Sequence, residues 1–346
     1  MNGADNVTIN GDNPNSAGIN RNLTITNTAS NTITYTMAVR IAVATSIVTS
    51  ANGNAIINCV INGSATGRSA SANTSTTASE NTTYGIYAGG GASTVSATTA
   101  PTAIASLTTT AGTGATMTNL IISNNTITSA ARAIMVQGAA ATVATGLSIV
   151  NNIIGNSVTG QATTVYSYGI GASGGSGSIT GNNIRNIESY LATSIRAISI
   201  GDIASVTNDA FIVDKNIISN VINRNTGGYS AYGINVAAGT GNIIQNNFIY
   251  GLNCVYANTI YGSTFGLRGI RVVGGTSHKI LHNSVNMSGP PLSGTVDVSA
   301  CLTVTATSIT GLDIRNNIFS NTMVATSATS TCMQLISGGT TAMAFT

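Results

Sequence analysis

The chain has 346 residues and a mass of 34.7 kDa, so its mean residue weighs only about 100 Da. Gly fills 39 positions, Trp is absent, and charged residues make up 6%, against roughly 25% in a typical soluble domain, which excludes an ordinary charged enzyme surface. A hydrophobic fraction of 42% and a mean hydropathy of +0.28 exclude a charge-extended disordered chain, and a thinly spread net charge of +3, with Lys215 and Lys279 the only lysines, excludes nucleic acid as a partner.

The first residues, Met1-Asn2-Gly3-Ala4-Asp5, lack the charged and apolar regions of a signal peptide, and Thr346 follows soon after an apparent strand. The sequence therefore reads as a fragment of a longer chain. No stretch reaches the 18 or more apolar residues of a membrane span; Ala38 to Val48 is interrupted by Arg40. Membrane insertion is not expected.

From Ile56 onward one motif recurs eight times, aliphatic-x-Asn-Asn-x-aliphatic with substitutions at the central pair. The first copies are Ile56-Ile57-Asn58-Cys59-Val60-Ile61, Ile122-Ser123-Asn124-Asn125-Thr126-Ile127, Ile149-Val150-Asn151-Asn152-Ile153-Ile154 and Ile179-Thr180-Gly181-Asn182-Asn183-Ile184. The later ones are Val213-Asp214-Lys215-Asn216-Ile217-Ile218, Ile244-Gln245-Asn246-Asn247-Phe248-Ile249, Ile280-Leu281-His282-Asn283-Ser284-Val285 and Ile314-Arg315-Asn316-Asn317-Ile318-Phe319. A second motif, small-aliphatic-x-aliphatic, falls between successive copies: Ala38 to Ile41, Gly85 to Ala88, Ala133 to Val136, Gly169 to Ala172, Ala197 to Ile200, Gly233 to Val236, Gly269 to Val272, Cys301 to Val304 and Cys332 to Leu335.

Within each motif apolar residues alternate at period two, the pattern of a strand with one buried face. Across the Asn pair the parity switches, which requires a sharp bend, and Asn tolerates the left-handed backbone better than other non-Gly residues. Stacked about 4.8 Å apart, equivalent Asn side chains hydrogen-bond into a ladder. The spacing predicts such a ladder at Asn125, Asn152, Asn182, Asn216, Asn247, Asn283 and Asn317, with Cys59 buried in the same column. Three short strands in a turn of roughly 33 residues define an all-β parallel β-helix of about nine coils, a single domain over residues 1–346. Long intervals place projecting loop insertions near 64–83 and 89–117.

Asn6-Val7-Thr8-Ile9-Asn10-Gly11, Tyr232-Gly233-Ile234, Ile280 to Val285 and Leu312 to Phe319 resemble secreted right-handed parallel β-helix repeat proteins of Bacteroidota. The resemblance covers nearly the whole chain. It implies a large exported protein, often one with a C-terminal sorting domain for the type IX secretion system, at the cell surface and adhesin-like. The same fold carries pectate lyases, polygalacturonases and phage tailspikes, so the motifs specify architecture better than activity.

A polysaccharide hydrolase or lyase on this fold needs acidic groups within about 5 to 10 Å of one another. Asp5, Asp12, Glu80, Glu188, Asp202, Asp209, Asp214, Asp297 and Asp313 leave no two in one column on adjacent coils; Asp202 and Asp209 approach only through loops. These residues point to a non-enzyme with no metal and no cofactor. His282 and Lys215 stand in the first Asn column as exposed corner residues, His278 reads as a loop residue, and Cys254 as another. The residue before the second motif alternates, Tyr84, Arg132, Tyr168, Arg196, Tyr232, Arg268, at a spacing where guanidinium groups stack on rings. Two readings fit, a stabilising ladder or a strip that binds polysaccharide. Cys301 and Cys332 share the small-residue column on consecutive coils, within disulfide reach. The expectation is an extracellular or cell-surface structural or adhesive rod, partnered by other surface proteins or by end-to-end self-association through its open end coils. The alternative is a polysaccharide-binding module or carbohydrate-active enzyme on the same fold.

Overall fold

The computed structural model describes residues 1, 3–29, 36–43, 50–63, 83–90, 116–138, 144–159, 164–190, 193–201, 209–225, 229–254, 266–289, 298–306, 308–323 and 329–335. All regular structure among them is strand, and the strands form three sheets. Sheet 1 runs from Thr8–Asn10 to Asp313–Arg315 with ten strands, sheet 2 from Leu23–Thr26 to Ile318–Asn321 with nine, and sheet 3 from Met37–Val43 to Thr329–Leu335 with nine. Each coil visits the sheets in turn; Ala210–Asp214, Ile217–Asn223 and Ala231–Val236 make up one. Neighbours within a sheet lie one coil apart and pair in parallel, as in Ile217↔Phe248, Val213↔Ile244 and Ile234↔Ile270. This is the parallel β-helix that the repeats define.

Backbone chirality explains the corner between sheets 1 and 2. Asn58, Asn124, Asn151, Lys215, Asn246, His282 and Asn316 all hold φ between 54° and 58°, and Gly181 holds 66°. One left-handed residue turns the chain and switches side-chain parity, so the aliphatic before the corner and the aliphatic after it both face inward. Ile122 and Ile127, Ile149 and Ile154, and Ile244 and Ile249 are buried in this way. Each buried Ile contributes about 1.5 to 3 kcal/mol of transfer free energy, and stacking makes the core continuous along the coils.

The small residue opening each sheet 3 strand has a steric cause. A Cβ added to Gly85, Gly169, Gly233 or Gly269 would lie 2.4 to 2.8 Å from the side chain of Ile127, Ile184, Ile249 or Val285, respectively, in sheet 2. The column holds only Gly, Ala and Cys because the sheets converge there.

Two expectations about segments change. The insertions expected near 64–83 and 89–117 lie mostly outside the described residues, although Gly89 and Gly90 belong to the strand Tyr84–Gly90 and Met117 to the short strand Met117–Thr118. Cys254 is not a loop residue. It ends the strand Phe248–Cys254 and is buried, because that strand continues past its bend at Gly251.

Candidate functional site

Three polar arrangements stand on this frame. The first is the asparagine ladder. The backbone N–H and Nδ2 of Asn125 both donate to Oδ1 of Asn152, each at 3.0 Å, while its second Nδ2 hydrogen goes to the Ile56 carbonyl at 2.9 Å. The pattern repeats through Asn152, Asn182, Asn216, Asn247 and Asn283 to Asn317. From Asn152 to Asn317 each amide oxygen accepts twice and each amide nitrogen donates to two partners or more, the full capacity of the group. Six of the seven side chains are buried and Asn317, on the last described coil, is half-buried. Cys59 is buried in the same column, and its N–H donates to Oδ1 of Asn125 at 2.9 Å.

The second arrangement covers the outer face of sheet 3. The Arg132 guanidinium carbon sits 5.4 Å from the Tyr84 ring centroid and 5.3 Å from that of Tyr168; Arg196 sits 4.9 Å from Tyr168 and 5.8 Å from Tyr232. The Arg271 guanidinium also lies over Tyr232, 5.0 Å from its ring centroid. Arg268 packs beside this contact, donates to the Leu267 carbonyl at 3.0 Å, and has its pKa pushed down to about 10 by desolvation. Arg271 belongs to the variable position of the second motif, the column Arg40, Tyr87, Met135, Gly171, Ser199, Asn235, Arg271. Reading that column beside the Tyr/Arg one is the signal that finds it. Tyr84, Tyr232 and Arg268 are 0%, 2% and 3% exposed, whereas Arg132, Tyr168 and Arg196 are half-buried. The rings and guanidinium groups are therefore used mainly on each other.

The third arrangement lies inside the coil near the entry to sheet 1. His278 is a loop residue as expected, in the turn before the strand Lys279–Leu281, but that turn aims it inward and it is wholly buried. Its Nε2 lies 3.0 Å from the Gly274 carbonyl and its Nδ1 3.4 Å from Nδ2 of Asn242, and desolvation lowers its pKa. Asn242 accepts from the Phe211 N–H at 2.7 Å. Asp209, also fully buried, accepts from the Gly175 N–H at 2.8 Å through Oδ1, and its Oδ2 has no hydrogen-bond partner. Burial pushes its pKa up to about 6, against the pull of the Gly175 and Gly174 amides.

The remaining candidates stay apart. Asp202, Glu80 and Asp297 lie outside the described residues. Asp214 and Asp313 occupy different columns of sheet 1, three coils apart. Asp214 holds Asn246 at 2.8 Å and Lys215 at 3.8 Å, while Asp313 is paired with Arg315 at 2.7 Å. Lys215, Asn246 and His282 line up as exposed corner residues. Glu188 is buried and ion-paired with Arg224 of the next coil, a pairing that no sequence pattern announces. Among the described residues no three His, Cys, Asp or Glu side chains gather in a metal-binding group, and no helix is long and apolar enough to cross a membrane. Cys301 and Cys332 are free thiols in the structure, Cys301 buried and Cys332 exposed.

No protein-family model matches the chain, and neither a curated protein nor a solved structure matches it.

Proposed function

We propose that the chain is a segment of an extracellular or cell-surface β-solenoid whose work is mechanical, a stiff stalk or a filament-forming rod. The observation that carries this reading is the continuous ladder from Asn125 to Asn317, which runs along the coil axis beside an unbroken aliphatic core. Bonds along the axis resist extension and bending together, since no coil moves without breaking contacts on both sides. The extracellular setting follows from the resemblance of the coils to secreted β-helix proteins.

Small-angle scattering and electron microscopy of the purified chain test it. An elongated particle, and end-to-end files of such particles at high concentration, are expected. A compact scattering profile ends the rod reading, and single rods at every concentration end the filament reading. Protease treatment of intact cells tests the location: surface exposure means cleavage without lysis.

A polysaccharide-binding module is the second reading, favoured by the partly accessible Arg132, Tyr168 and Arg196. The change Tyr168→Ala separates the two. A structural ladder loses thermal stability on that change, whereas a binding strip loses retention in a polysaccharide gel with the melting temperature held.

A further inference from the structure

The strands Val298–Val304 and Thr329–Leu335 pair in parallel, with Ala300 opposite Thr331 and Leu302 opposite Met333. Cys301 therefore stands opposite Cys332. In-register Cα atoms in a parallel sheet lie about 4.8 Å apart, inside the span that a disulfide bridges. Both cysteines occupy the inward small-residue column, so their Cβ atoms point the same way. Their sulfurs rest on consecutive carbonyls of one sheet 2 strand, Cys332 on Phe319 at 3.4 Å and Cys301 on Ser320 at 3.3 Å. Exposure differs sharply between the two: Cys301 is fully buried and Cys332 is exposed. On this end strand of sheet 3 Met333 is 42% exposed, where its neighbour Leu302 is 0%.

We propose that Cys301 and Cys332 form a redox clamp, in which an external small-molecule disulfide oxidises the pair and welds the strand Thr329–Leu335 to the coil before it. The Cys332 thiolate attacks one sulfur of the small disulfide, forming a mixed disulfide and releasing one small thiolate. Cys301 then gives its proton to solvent and attacks Sγ of Cys332, expelling the second small thiolate. Two protein thiols and one small disulfide become one protein disulfide and two small thiols. The buried Cys301 thiol, its pKa pushed up to about 12 by desolvation and by the adjacent Cys332, makes the second step slow and faster as the pH rises. This inference is independent of the mechanical reading.

The test uses the whole chain with oxidised glutathione at pH 8, an acid quench, alkylation in denaturant and non-reducing peptide mass spectrometry. A peptide carrying Cys301 joined to one carrying Cys332, free of glutathione and released by dithiothreitol, is expected. Amide exchange across 329–335 should slow by about tenfold or more on oxidation. Cys301→Ser should stop at a persistent glutathione adduct on Cys332. Cys332→Ser, which leaves the buried site intact and guards against a folding defect in the first variant, should leave Cys301 unmodified. A stable adduct on Cys332 of the wild type with Cys301 still free for alkylation, a bridge to Cys59 or Cys254, or no reaction at either thiol overturns the clamp.

Discussion

Lys215 and His282 stand at corner positions whose φ of 55° suits Gly and Asn. A side chain with a Cβ costs roughly 1 to 2 kcal/mol in the left-handed region, with Asn penalised least. Lys215 offsets little of this cost, because its side chain is 70% exposed where it makes the 3.8 Å contact with Asp214, and such pairs contribute about 0 to 1 kcal/mol. Lys215→Asn and His282→Asn should each therefore raise stability by about 0.5 to 1 kcal/mol in urea unfolding. A loss in both would refute the corner account. Asp209 gives the opposite kind of residue effect. Unfolded, its carboxyl titrates near the ordinary 3.8; folded, it titrates at about 6. Below about pH 4 both states hold the proton. Between the two values the folded state keeps a proton that the unfolded state has lost, so stability falls as the pH rises, and above about 6 the full penalty stands. That penalty is on the order of 2 to 3 kcal/mol. Wild-type stability should therefore drop from pH 4 to pH 8 relative to Asp209→Asn, which keeps the acceptor for Gly175 and carries no charge; parallel pH profiles would remove the effect. Sequence alone did not place Asp209 or His278, because both belong to turns, where period-two parity no longer says which side chains face inward.

A ladder is sensitive to where it is cut. Asn216→Ala would strand the N–H of Asn182 and remove the side-chain donor to the Ile179 carbonyl, both buried, and would leave Nδ2 of Asn182 only its carbonyl partners Ile149 and Thr180. At about 1 to 3 kcal/mol for a buried unsatisfied group, partly relieved by relaxation, the loss should be about 3 kcal/mol or more. Asn317→Ala, at the half-buried last rung, should cost about half as much or less, and equal losses in thermal melts would mean that the rungs act independently of burial. The ladder was legible in the sequence because one residue type returned at one position of every coil. The stack on sheet 3 was legible only in part. Tyr84 to Arg268 lie in a single column, whereas Arg271, which also stacks on Tyr232, comes from the neighbouring one. The Glu188–Arg224 pair left no trace at all, since Glu188 shares its column with Ile222 and Asn253 and Arg224 lies past the end of its strand.

At the scale of the whole molecule the nine coils share one core, so stability is the sum of coil and interface contributions along a line. The asparagine ladder repeats every coil, while Tyr and Arg alternate and so repeat every second coil. The two periods differ, and that sets how such a rod changes length in evolution. Removing 183–216 takes out one coil and closes the asparagine column, with Asn182 meeting Asn247, but it brings Tyr168 against Tyr232 without the Arg196 guanidinium between them. Removing 153–216 takes out two coils and restores both patterns, with Asn152 meeting Asn247 and Arg132 meeting Tyr232. The two-coil deletion should therefore melt closer to the parent chain than the one-coil deletion, although it is the larger cut; the reverse order would show that the rings and guanidinium groups contribute nothing to coil pairing. Duplication and loss of coils would then settle into even steps of about 9.6 Å, a ruler graduated by a pair of side chains on its outer face.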